Sequence, residues 1–482
     1  MKSITRRKML GALASGAGLA PAAVLAGSLQ GAPERVRLGV IGTGGRAHGL
    51  MRHLVDSGRS EFVALCDANE PRLASAKAVA GGKAETYRDF RALLDRKDIE
   101  GVVIATPDHW HCPMVVAAVQ AGKDVYVEKP VSHNVWEGRR AVEAARKYGR
   151  IVQAGMQIRS SEGIAEAFEW VRAGNLGAIR VARGLCYKPR QSIGKVSGPT
   201  AVPQGVDYDL WTGPAPMRPL MRARLHYDWH WVFDTGNGDL GNQGIHQMDL
   251  CRWVLGERRL APRVMSAGGR FGYEDDGETP NTQFVFHDYE KAPLVFEVRG
   301  LPRDALARSD GWNAKMDRYR GVGVGIVVEC EGGHLAVPSY DKAVAVDAAG
   351  KTVREFEGAS DHFANFIAAV RSRRAGDLAA PIEEGHVSSA LCHAGNVSHL
   401  LGRGARPEVM REAIRGSAVA SETFERFAAH LEANGIDLAS TRATLGPWLE
   451  IDPAAERFAG DERANRLLAR EYRAPFVVPA RV

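Results

Sequence analysis

From Arg35 onward short apolar runs alternate with amphipathic stretches. RVRLGVI (35–41), EFVALCD (61–67), GVVIAT (101–106), KDVYVEK (123–129) and RIVQAG (150–155) are separated by segments such as HCPMVVAAVQAG (111–122) and NVWEGRRAVEAARKYG (134–149). Runs this short, rich in Val and Ile and without polar alternation, suit strands covered on both faces. Parallel neighbours cannot be joined by a tight turn, so helices between them are the natural connection. The pattern predicts an α/β fold that begins with a doubly wound parallel sheet of Rossmann type.

After about Arg159 the texture changes. A helical stretch, EGIAEAFEWVRAG (162–174), leads to the strand-like IRVARGLCY (179–187), and a loop rich in Pro, Gly and Trp fills 188–238. HQMDLCRWVLG (246–256) reads as a helix. RVMSAGGRFG, NTQFVFHD, PLVFEVRG and GVGIVVECEGG then read as strands of a mostly antiparallel sheet in a C-terminal α/β domain. The expected organisation is a leader at 1–30, a nucleotide-binding domain at 31–156, a second domain at 157–405 and a charged extension at 406–482. The helix near 386–402 is expected to pack back on the first domain. A loop as long as 188–238 is uncommon unless it serves a site.

The formal charge of +6 falls to +2 once the four basic residues of the first thirty positions are set aside, and like charges do not cluster in the remainder. A nucleic-acid surface needs a clustered basic face, so that class is excluded. Arg6-Arg7 precedes an Ala-, Gly- and Leu-rich stretch that ends in small residues near Ala26. This layout resembles a twin-arginine signal, which engages the machinery that exports folded proteins and places the mature chain in the periplasm or otherwise outside the cytoplasm. The apolar part is too short to span a bilayer, and no later segment has about eighteen uninterrupted apolar residues, so the mature chain is not expected to span a membrane. The six cysteines are widely spaced within apolar runs, as free thiols packed as small hydrophobes would be.

Gly42-Thr43-Gly44-Gly45-Arg46-Ala47 fits G-x-G-x-x-[G/A] between a predicted strand and a predicted helix. Such glycines let a backbone approach a pyrophosphate, and the helix N-terminus stabilises its charge. Asp67 ends the next strand, 25 residues after Gly42. It is placed to accept ribose hydroxyls and to repel a 2′-phosphate, so NAD is expected as cofactor rather than NADP. Thr106, Pro107, His109 and His111 follow the fourth strand and Glu128-Lys129-Pro130 closes the fifth, at the carboxyl ends where open α/β sheets place ligands. Lys129 is suited to polarise a substrate oxygen. Position alone favours a solvated lysine at a strand end. The loop segment 226–234, with Trp229 and His230, offers aromatic faces for a sugar ring, and Tyr187, Lys188 and Arg190 close a strand expected to face the same cleft. His226, His230 and His246 match no standard metal-ligand spacing, and no metal is expected. His393 and Asn396 fall on a predicted helix and read as packing residues.

The fingerprint, Glu128-Lys129-Pro130, Gly155-Met156-Gln157-Ile158-Arg159 and Gly244-Ile245-His246-Gln247-Met248-Asp249, in this order, resemble the glucose–fructose oxidoreductase/inositol dehydrogenase (Gfo/Idh/MocA) family over about residues 35–400. The resemblance implies a Rossmann domain joined to an α/β domain whose open sheet supports a homo-oligomer, a dimer or tetramer, and a sugar or polyol held over the nicotinamide. It implies that Lys129 orients and polarises the reacting hydroxyl, that His246 is the acid/base with Asp249 in the catalytic set, that Gln157 contacts the cofactor, that Arg159 contacts the substrate, and that Lys129–Pro130 is a cis bond. Family dehydrogenases often carry Asp four residues before this histidine, where this chain has Asn242, and an amide hydrogen-bonds without carrying charge. That difference keeps two further readings open beside an exported NAD-dependent oxidoreductase: an NAD-dependent glycosidase working by transient oxidation and elimination, and a non-catalytic sugar-binding protein.

Overall fold

In the computed structural model, which describes residues 35–312 and 315–482, all five N-terminal apolar runs are strands. The Arg6-Arg7 leader lies outside the described residues. β1 (Val36–Ile41), β2 (Ser60–Cys66), β3 (Glu85–Tyr87), β4 (Gly101–Ile104), β5 (Asp124–Val127) and β6 (Val152–Ala154) form one sheet in the order β3-β2-β1-β4-β5-β6. Every pairing is parallel. β3 has no counterpart in the sequence reading, because this polar edge strand has no apolar run. β1 lies between β2 and β4, so the connections that leave it and β4 part to opposite sides and open a crevice at the carboxyl ends.

The second sheet runs β14-β13-β12-β11-β7-β10-β9-β8-β16-β15. Its strands are β7 (Ile179–Tyr187), β8 (Arg263–Gly269), β9 (Thr282–His287), β10 (Leu294–Arg299), β11 (Val324–Cys330), β12 (Gly333–Val337), β13 (Lys342–Asp347), β14 (Thr352–Glu357), β15 (Arg403–Ala405) and β16 (Ala443–Leu445). All these pairings are antiparallel except β7 with β10. One face packs on helices Glu162–Arg172, Ile245–Leu255 and Ile382–Leu400, through a core that includes Phe168, Met248, Phe296 and Leu391. Helix Ile382–Leu400 also reaches the first sheet: Ser389 Oγ accepts from the Val131 amide at 3.1 Å, and a Cβ on Gly385 would fall 2.6 Å from that of Ala154.

The opposite face is covered by helix Ala418–Ala433, whose Phe424, Phe427 and Leu431 pack with Phe271, Phe284 and Phe286. Beside them buried Glu297 accepts from Arg426 Nη1 at 2.8 Å and from the Tyr187 hydroxyl at 2.8 Å. The chain end then returns to the first sheet. Phe476, Val478 and Val482 are buried with Trp110 and Val115, Tyr472 donates to Glu137, and Arg473 donates to the carbonyl of Gly213. The charged extension is therefore structural: it covers one sheet and straps the other. All six cysteines are free and buried. Among the described residues no helix is long and apolar enough to cross a membrane.

The strap gives a stability prediction. Phe476 is buried edge-on against Trp110 at 5.2 Å. Phe476→Ala should cost about 3 kcal/mol in denaturant unfolding. A change below about 0.5 kcal/mol would show that the tail does not hold the fold.

Candidate functional site

The trough begins where β1 ends. Gly42 has φ +84°, and a Cβ there would sit 2.7 Å from the Thr106 backbone nitrogen, so the turn both needs a left-handed residue and excludes a side chain. Helix Gly45–Asp56 starts at once, its first amides directed into the crevice entrance. Asp67, at the end of β2, braces the turn: one carboxylate oxygen accepts from the Thr43 amide at 2.7 Å and hydroxyl at 3.1 Å, the other from the Asn69 amide at 2.9 Å. Burial raises the pKa of this carboxyl, and those donors oppose the rise.

A cavity of about 550 Å³ lies here, lined by Gly42, Asp67, Phe90 and Trp110 among others. A second, of about 1170 Å³, is lined by Arg46, Asp108, Lys129, Tyr227, Trp229 and Asn242, with Gly45, His111, Glu128 and His230 on the same walls. Both are bounded by Gly44, Arg72, Thr106, Pro107 and Trp211, so together they make one trough from the glycine turn to Lys129. Thr106 Oγ1 is buried along this wall with no hydrogen-bond partner among the described residues. An elongated trough, a turn that excludes Cβ, an aligned helix N-terminus, a ribose-height carboxylate and an orphan hydroxyl together fit an extended dinucleotide.

At the far end Lys129 precedes a cis Lys129–Pro130 bond, the isomer the resemblance implies. Its ammonium donates to the backbone carbonyl of Asn242. Asn242 lies in a π-helical turn, Leu240–Gly244, that runs into helix Ile245–Leu255; such one-turn expansions recur at functional positions. Burial lowers the pKa of Lys129, while Glu128 and Asp108 raise it. Glu128 is itself held by Arg46 at 2.6 Å and by the Gln157 amide at 3.2 Å. His246, four residues beyond Asn242, is not itself among the residues that line the trough; it is buried, makes no hydrogen bond with the described residues, and has its ring centroid 5.7 Å from that of Tyr340. Burial, then the charges of Lys129 and Arg46, hold it well below the usual histidine range, so it is a neutral imidazole.

The outer wall is aromatic. Trp229 and His230 stack at 3.6 Å and 20°, and Tyr227 lies 4.7 Å from His230. Burial pushes His230 down to about 3. Tyr227 has φ +66°, a costly conformation for a residue with a side chain. Its carbonyl accepts from His230 Nδ1, which locks the turn.

Several residues named from the sequence stand elsewhere. His109 places its two ring nitrogens against the carbonyls of Thr235 (3.2 Å) and Trp211 (3.1 Å), anchoring the long loop and not lining the trough. His111 lines the trough but spends its ring on the carbonyls of Pro130 and Thr106, tying two strand ends together. Tyr187 lies under helix Ala418–Ala433, and Lys188 is exposed outside the trough lining. Strand alternation sends Tyr187 to the face away from the cleft. Arg190 is buried in an ion pair with Asp239. Arg159 and Asp249 pair with each other at 2.8 Å, joined by Ser388 and Glu384, and so fasten helix Ile245–Leu255 in place without lining the trough. His226 and His230 line the same wider cavity, His226 meeting the Asn69 amide at 2.8 Å and His230 stacking on Trp229, whereas His246 faces Tyr340. His393 meets Ser132 Oγ at 3.2 Å, and Asn396 donates to the carbonyl of Asn237. The sequence reading placed Asp108 and Tyr227 within segments expected near a ligand without giving either a role, and it did not select Arg72, Trp211 or Tyr340. Asp108 carried a signal, as an acid one step past a strand-end proline, whereas Tyr340 comes from the β12–β13 connection with no local mark.

Residues 36–156 match the Gfo/Idh/MocA oxidoreductase family model for the NAD-binding Rossmann fold, and residues 176–277 match that family's C-terminal α/β domain. The chain is 32% identical to an inositol 2-dehydrogenase of Klebsiella pneumoniae, over 33% of this chain and 48% of that protein. It is 26% identical to a levoglucosan dehydrogenase of Pseudarthrobacter phenanthrenivorans, over 48% of this chain and 54% of that one. The chain thus spans about half the length of these relatives. In fold it is similar to the WlbA dehydrogenase of Bordetella pertussis, solved with NADH and UDP-GlcNAcA, with a TM-score of 0.54, 19% identity, and coverage of 74% of this chain and 94% of that one. Residues 36–156 thus carry the NAD-binding Rossmann domain of the Gfo/Idh/MocA oxidoreductase family, and residues 176–277 carry part of that family's C-terminal α/β domain.

The glycine turn supplies a direct check. Gly42→Ala must move the turn away from Thr106, so NADH affinity, read by protein-to-nucleotide fluorescence transfer, should fall at least about tenfold. Unchanged affinity would show that the nucleotide does not use this turn.

Proposed function

We propose that this protein oxidises a carbinol carbon of a sugar, glycoside or polyol, with NAD held in the trough throughout, and that it is exported already folded. The observation that supports this most is a single cavity with Lys129 and Asn242 on one side and the Tyr227–His230 aromatic wall on the other, continuous with the glycine turn. The related proteins act by name on inositol and levoglucosan, which are polyhydroxylated like the proposed substrates.

Bound in the trough, NAD would supply the redox chemistry by taking the carbinol hydrogen with its bonding electrons. Gly42, Gly44 and the first amides of helix Gly45–Asp56 would hold the pyrophosphate. Asp67 has lone pairs left for ribose hydroxyls and would repel a 2′-phosphate, so NAD is favoured over NADP. The Lys129 ammonium donates to the substrate oxygen and steadies negative charge developing there. His246, neutral and without a hydrogen bond among the described residues, takes the hydroxyl proton. Trp229 and Tyr227 offer faces to the C–H surface of a ring, and the Asn242 amide can bind a hydroxyl without adding charge.

That uncharged amide, lining the cavity, also favours a second reading, in which oxidation is transient, an aglycone is eliminated and the sugar is reduced again on the same cofactor. Export rests on Arg6-Arg7 and the apolar stretch behind it, and on six buried free thiols compatible with folding before export. In a periplasmic setting a dehydrogenase that released NADH each cycle would stop, so the bound cofactor has to be regenerated in place.

Purified mature protein should therefore carry NAD and turn over many times without added nucleotide. The check is incubation with free sugars, polyols and aryl glycosides while aglycone release and nucleotide absorbance are followed together. A nucleotide-free protein that consumes added NAD⁺ stoichiometrically would contradict the reading. Lys129→Met and His246→Ala should each lower kcat by about a hundredfold or more with NAD still bound. Near wild-type turnover in either variant would remove that residue from its role.

A further inference from the structure

The wider cavity holds a carboxylate to which the proposed chemistry gives no task. Asp108 follows β4 in the Thr106-Pro107-Asp108 turn, is 2% exposed, and lines the cavity that Lys129 lines. Its side chain receives a hydrogen bond from Asn237 Nδ2 at 3.2 Å and forms no salt bridge among the described residues. The cavity's other carboxylate, Glu128, is clamped by Arg46 at 2.6 Å. Lys129 itself meets only a neutral carbonyl on the helix side, and the Asn242 side chain beside it carries no charge. A partly buried ammonium at the wall of a cavity keeps its proton more readily beside negative charge, and Asp108 is the cavity carboxylate that no salt bridge among the described residues engages.

Two carboxylates act on the lysine, Glu128 beside it in the chain and Asp108 from the β4 turn. Burial works against the ionised form of each partner; Lys129 draws Asp108 toward it, and Glu128 and then Asp108 draw Lys129 toward it. His230 and His246 are depressed chiefly by burial and so are uncharged near neutrality, whereas both ring nitrogens of His111 face carbonyl oxygens, those of Pro130 and Thr106, which oppose the lowering by burial; the Cys392 thiol is pushed well up.

We propose that Asp108 is, with Glu128, a counter-ion that keeps Lys129 protonated, a positioning residue that acts through the lysine across the shared cavity from the β4 turn, not from the helix that carries His246. The inference rests on the reading of Lys129 as the group that polarises the substrate.

Such a carboxylate is kept at a stability cost. Burial pushes Asp108 up to about 7, above its ordinary 3.8, so its contribution to stability is full below about pH 4 and is lost as pH rises through about 7. Asp108→Asn keeps the shape and can still accept from Asn237. It should melt no lower than wild type at pH 8, whereas a residue kept only for structure would give a lower melting temperature.

The test follows acetic anhydride labelling of Lys129 in the full-length holo-protein from pH 6 to 11 by mass spectrometry, with exposed Lys188 as internal reference. In Asp108→Asn the Lys129 midpoint should fall by about one pH unit or more while Lys188 stays fixed. Asp108→Ser serves if the amide variant does not fold. An unmoved Lys129 midpoint in a folded variant overturns the proposal. For any sugar or polyol that is turned over, the alkaline limb of kcat should move down with the midpoint. A shifted midpoint in a protein that oxidises no such substrate upholds the counter-ion and defeats the functional reading; turnover with no shift does the reverse.

Discussion

Keeping an ammonium charged at the floor of a cleft is the constraint around which this molecule is arranged. A buried lysine tends to lose its proton, and only nearby acceptors and negative charge prevent that. Lys129 receives them from separate parts of the chain: a carbonyl from the π-helical turn at Asn242, and carboxylates at Glu128 and Asp108. Neither sheet supplies the set alone. Helix Ile382–Leu400 contacts the β5 exit and the core of the second sheet, so the two halves of the lysine's environment are held in register.

The long loop is held by the same economy of polar groups. A connection of about fifty residues costs entropy to order, and this one is fixed at its inner edge by His109, whose ring meets two loop carbonyls, and at its outer edge by the returning C-terminal tail, whose Arg473 reaches Gly213. Anchoring a loop with buried histidine and arginine leaves its aromatic side chains free to line the cavity. The positive φ of Tyr227 is the local strain that this anchoring sustains, and it falls where Tyr227 and His230 turn toward the cavity.

What the sequence disclosed follows from where each signal lives. The parallel sheet was legible because buried strands are apolar on both faces, and the glycine turn because Gly42 has no substitute there. β3 was hidden because an exposed edge strand needs no apolar run. His109, Arg159, Tyr187 and Asp249 were the right types for a site, yet each is occupied by a partner distant in sequence, and pairing at that separation leaves no trace in spacing. Tyr340 was invisible for the converse reason: only the fold of the second sheet brings the β12–β13 connection to His246. The C-terminal extension read as a charged appendage because its buried residues are few, even though Phe424, Phe427 and Phe476 close two cores.

The central claim is that the cleft joins a carbinol carbon to a nicotinamide beside Lys129. It is tested most directly by a single turnover with any accepted sugar or polyol deuterated at its carbinol carbons, followed by release of the bound nucleotide and mass spectrometry. The account predicts deuterium on the nucleotide from the wild-type protein, and far slower labelling from Lys129→Met with the same amount of nucleotide bound. Product formed with an unlabelled nucleotide would contradict it.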